Sequence, residues 1–209
     1  MYLFPISAIP LGFFFLAIVV FPFHERSAAS RAFARGIFAF IPLALVEALA
    51  SAVLDPGYGT PSHIAYEWTR LILPCALVPL VCFGIFYRLG SEPASDGMDR
   101  RILSFYAGAL SPVALAESIR IWERPEPYTL FILPFALATI ALAAPAAIRR
   151  IRESRARGII ATALATVTGS LVLSLGHWLF TAQLWPLAAL GTMAAFLAAW
   201  LVSVPALGR

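Results

Sequence analysis

The chain has 209 residues, of which 61% are hydrophobic and 12% charged, with a mean hydropathy of +0.86. Soluble domains do not carry so little polar surface, so a lipid bilayer is the expected solvent and no nucleic-acid partner is expected. The formal charge is +4 and every basic residue is arginine, so Schiff-base, phosphate-loop and general-base chemistry that needs a lysine is excluded.

The first apolar stretch, Leu3 to Phe23, is long enough to cross about 30 Å of hydrocarbon. It has neither a basic leading region nor a small-residue cleavage site, and it is expected to be a retained helix. After Arg26, Arg31 and Arg35 comes a second span, Gly36 to Leu54. Glu47 lies inside it, roughly 16 Å past Gly36 by helical rise, with no cation near it on the same helix. A carboxylate at that depth must be protonated, paired across helices or hydrated by a cavity, which makes Glu47 the leading candidate for a functional acid. The competing reading is a hydrogen-bonding group that holds helices together. Ser51, one turn on, shares its face. If Glu47 is functional, Glu47→Gln is expected to preserve the fold and abolish activity.

Asp55 and Glu67 precede a third span, Trp68 to Tyr87, which carries both cysteines. Cys75 and Cys82 stand about 10 Å apart on a helix, beyond disulfide reach, and read as small apolar residues. Arg88, Arg100 and Arg101 lead into a fourth span, Ile102 to Ile121. Its Glu117 is followed by Arg120, Glu123 and Arg124, so an interfacial charge cluster is a sufficient account of it. The fifth span, Tyr128 to Ile148, ends at Arg149, Arg150, Arg152, Arg155 and Arg157, a basic loop expected to meet anionic lipid or an acidic partner.

The sixth span, Gly158 to Phe180, is the most polar. Thr162, Thr166, Ser170 and Ser174 recur every four residues, His177 and Thr181 extend the stripe, and Gly169 flanks it. Such a stripe lines a watery path or bonds a neighbouring helix. His177 as a metal or haem ligand lacks partners, because His63 falls in a loop and His24 on the other side. A short turn at Gln183 leads to the seventh span, Leu184 to Val204, where Gly191, Ala195 and Ala199 form a small-residue face.

The expected fold is therefore all-α, a polytopic transmembrane bundle of seven helices forming one domain. Its arginine-rich connections alternate with poorly charged ones, which by the positive-inside rule puts the N-terminus outside and the C-terminus inside. Tyr2, Tyr58, Trp68, Tyr87, Trp122, Tyr128 and Trp185 stand near the span ends, as interfacial aromatics do. The strings Pro42-Leu-Ala-Leu-Val-Glu47 and Pro112-Val-Ala-Leu-Ala-Glu117 share a Pro-x-Ala-Leu-x-Glu pattern, and Ile72-Leu-Pro74 matches Ile132-Leu-Pro134. Together they suggest repeated helical hairpins related by rotation about the membrane normal.

No Ser-His-Asp order, HExxH, glycine-rich phosphate loop or CxxC occurs, and neither a cofactor nor a metal is expected. The expected role is a permease-like component, or a membrane subunit of a larger complex, handling a small solute, ion or lipid beside partner membrane or peripheral subunits. A bacterial cytoplasmic (inner) membrane is the expected location. Two rival readings stand beside it. One is an intramembrane lipid-modifying enzyme using Glu47, Glu117 and His177, with Ser51 and Ser174 nearby, at the outer side. The other is a purely structural or assembly subunit.

Overall fold

A computed structural model of the chain describes residues 26–54, 68–89, 98–120, 133–153, 159–160, 162–170, 172 and 184–207. Among these, all regular structure is helical and no strand occurs. Helix α1 spans Arg26–Leu54, a π-helical turn at Trp68–Ile72 runs into α2 (Leu73–Leu89), and α3 (Met98–Arg120), α4 (Leu133–Glu153) and α5 (Trp185–Leu207) follow. Residues 162–170, between α4 and α5, are also helical. The expected first span lies outside the described residues.

Helix α1 starts ten residues before the expected Gly36. The stretch from Arg26 to Arg35 is rich in alanine and arginine, both strong helix formers, so the helix continues past the point where the apolar run stops. The N-terminal extension also packs. Ala29, Ala32, Gly36, Ala39 and Leu43 recur at intervals of three and four and are all buried, forming one narrow face of small side chains. Helix α4 likewise runs on to Glu153, so Arg149, Arg150 and Arg152 belong to its last turns rather than to a connecting loop.

Helix α3 is the axis of the bundle. Every residue from Ile102 to Ser111 is buried, on all sides of the helix, as expected of an element surrounded by others. It packs most extensively on α1, then on α4, and also meets α2 and α5. Gly36 and Gly108 mark its crossing with α1. A Cβ on Gly108 would lie 3.2 Å from the Cα of Gly36 and overlap the Phe33 carbonyl, and a Cβ on Gly36 would overlap the Phe105 carbonyl. Backbone therefore meets backbone there, which only glycine allows.

Named contacts order the helix ends. The Arg35 guanidinium lies 5.7 Å from the centre of the Tyr87 ring. Tyr87 stacks on Phe83, and Phe83 meets Phe105 edge-on. Arg149 is ion-paired with Asp99. The start of α1, the end of α2, the start of α3 and the end of α4 thus share one basic end. At the opposite end, Arg70 reaches Glu47.

The outer faces are apolar. On α1, Ile37, Ile41, Leu45, Leu49 and Val53 follow one another every four residues and all are exposed, Val53 by 79%. By helical rise this stripe is about 24 Å long. On α5, Leu187, Leu190, Met193, Leu197 and Leu201 recur at intervals of three and four and are also exposed. Among the described residues two segments, Ala28–Val53 and Arg70–Tyr87, are long and apolar enough to cross a membrane.

Candidate functional site

The first candidate site is an ion pair. Arg70 enters the bundle from the π-helical turn, and its Nη1 donates to Glu47 Oε1 at 2.5 Å. The arginine side chain is 3% exposed and the glutamate 20%. The pair joins the far part of α1 to the start of α2. Because α1 begins at Arg26, Glu47 lies seven residues, about 10 Å, from its far end and not midway along it. Taking both charges out of water is costly, and the short charge-assisted bond offsets that cost only while both partners remain. Among the expectations for Glu47, pairing across helices is the one this geometry matches.

The other candidates are not gathered around it. Ser51 sits one turn along α1 and is half-buried. Glu117 lies in the last turn of α3, and its side chain is outside the described residues, as are Ser174 and His177. Of the basic cluster, Arg149 bonds Asp99, Arg150 is exposed at the end of α4, Arg152 is placed only by its backbone, and Arg155 and Arg157 fall outside. Among the described residues no group of histidine, cysteine and carboxylate side chains is disposed to hold a metal ion. Neither Cys75 nor Cys82 is in a disulfide.

The second candidate site is a cavity of about 480 Å³ bordered by α2, α3, α4, α5, the helical residues 162–170 and Val172. Alanine is the commonest residue of its wall, nine of the nineteen that line it. On one side, Thr162, Thr166, Gly169 and Ser170 all face it, so the four-residue stripe of the sequence is one of its walls. On the other side it follows α4 from Thr139 to Arg150. Small side chains explain the space, because adjacent helices held apart at other contacts leave a gap that alanine and glycine cannot fill.

The hydroxyls of the wall are mostly turned toward backbone. Thr139 donates to the Phe135 carbonyl at 2.7 Å, Thr162 to Ala147 at 3.2 Å, Ser170 to Val167 at 2.9 Å and Tyr106 to Ala76 at 3.2 Å. The bonds of Thr162 and Tyr106 also tie neighbouring segments across the cavity's edges.

Sequence reasoning passed over Arg70 and Asp99. A lone arginine two residues into an apolar span reads as an interfacial anchor, and its role appears only when the opposite charge on the preceding span is set beside it. No protein-family model matches the chain, and no match is found among curated proteins or solved structures.

Proposed function

We propose that the chain is an integral membrane protein that crosses the bilayer seven times, N-terminus outside, and acts as a permease-like component handling a small molecule within its helical bundle. The cavity carries this reading. A bundle built only to hold its own shape would close such a space, because unfilled volume forfeits packing energy. The apolar outer faces of α1 and α5 fit a lipid surround, and the basic end fits the inner face of a bacterial cytoplasmic membrane with its anionic lipids. Partner membrane or peripheral subunits complete the proposal, since the connections are too short to form a soluble domain.

A second reading, a purely structural subunit, is favoured by the Glu47–Arg70 pair, which reads as a clamp between helices. The two readings part on one substitution. Ala143 lines the cavity and is also exposed, so Ala143→Phe fills space without displacing core. In a strain whose own copy is deleted, the filled variant should be made and inserted normally yet fail to restore the deletion phenotype. Full restoration would leave the structural reading.

A further inference from the structure

We infer that the cavity holds a single alkyl chain ending in an anionic headgroup, with the chain against the alanine wall and the headgroup at Arg150. This rests on the bundle lying in a membrane and names the class of molecule for the same cavity.

Four observations lead there. First, shape: from Thr139 to Arg150 the cavity follows α4 for eleven residues, about 16 Å, which is a slot more than a sphere. Second, lining: nine alanines with Leu80, Ile140 and Val172 make the wall mainly apolar, and the hydroxyls of Tyr106, Thr139, Thr162 and Ser170 already donate to backbone carbonyls. A sugar, amino acid or hydrated ion would leave its own polar groups unanswered in such a space, at a cost no apolar contact repays. Third, charge: Arg150 is the one charged residue among the described lining, and it stands at the basic end of the bundle. One cation at one end of an apolar slot complements a molecule with one anionic end. Fourth, access: Ala143, Ala165 and Ala198 line the cavity and are also exposed, so it opens sideways toward the apolar surface from which a chain would enter. A volume of about 480 Å³ suits one chain and falls short for a diacyl lipid.

The test uses the full chain in nanodiscs of zwitterionic lipid. The probes are palmitic acid with a photoactivatable group at the chain end, the matching alcohol, and a phosphatidylglycerol carrying the same group. Saturable labelling by the palmitate probe is expected within 139–150 and 162–170, competed by plain palmitate. Arg150→Gln should lower it about fivefold, the loss expected for one basic residue at an anionic headgroup. Ala143→Phe, or Ala198→Leu should the first not fold, should remove saturable labelling, and Ile41→Ala on the outer face of α1 should not. The inference is overturned if the alcohol labels as well as the acid, or if labelling is as strong at Leu45 and Leu49 on the outer face of α1. It is equally overturned if phosphatidylglycerol takes the cavity in preference, since that makes the occupant diacyl. Loss of complementation by Ala143→Phe without palmitate labelling would leave the permease reading standing and refute only the occupant.

Discussion

Arg70 reaches Glu47 from a separate helix and holds its carboxylate at 2.5 Å, with the guanidinium almost wholly out of solvent and the carboxylate at the edge of the bundle. Removing one partner of such a pair takes this short bond from the other charge, whereas replacing both with apolar side chains of similar size removes the charges together.

That asymmetry gives the first prediction. Glu47→Gln or Glu47→Ala should destabilise the protein by about 2–3 kcal/mol, below the 3–5 kcal/mol of a fully buried pair because Glu47 keeps some solvent contact. The double variant Glu47→Leu, Arg70→Met should melt above either single variant. Thermal denaturation of purified protein in one detergent reads this directly, and additive losses would show that the two side chains do not act together.

The second prediction concerns Gly36 and Gly108. Gly36→Ala and Gly108→Ala each force backbone apart at the α1–α3 crossing, at a cost of about 1–3 kcal/mol or more. Gly84→Ala, where an added methyl meets nothing within 4 Å, should cost nothing in packing. Melting temperatures of the three variants make the comparison, and equal effects at all three positions would contradict the crossing.

The ion pair at the basic end should behave differently. Arg149 is 46% exposed and Asp99 23%, so solvent and salt screen their attraction. Asp99→Asn is expected to cost less than about 1 kcal/mol and to lose even that at high salt. A large, salt-independent loss would mean that the start of α3 and the end of α4 are clamped as tightly as the Glu47 end.

Helices were legible where apolar runs are long, and the cavity wall was legible in part. The recurrence of Thr162, Thr166 and Ser170 beside Gly169 required only the helical period to put them on one face. What that face meets was not legible, since the opposing wall comes from α4, α5 and two further helices. Helix α1 begins before the apolar run because hydropathy stops at Arg35 while helix propensity does not. Gly36 read as a span boundary because only the approach of α3 reveals it as a crossing point. Of the two Pro-x-Ala-Leu-x-Glu strings, Pro42 and Pro112 do fall inside helices, α1 and α3, that pack against each other. Glu47 is paired, and the Glu117 side chain lies outside the described residues.

The central claim is that the helices cross a bilayer with the arginine-rich end inside. In a background lacking Cys75 and Cys82, single cysteines replace Ser62, between the expected second and third spans, and Ser154, in the basic stretch between the expected fifth and sixth. Intact cells are exposed to a membrane-impermeant thiol reagent and then compared with lysed cells. Labelling of the residue 62 variant in intact cells, and of the residue 154 variant only after lysis, is the predicted result. Labelling of residue 154 but not residue 62 in intact cells would invert the orientation, and equal labelling of both would contradict the membrane-spanning arrangement itself.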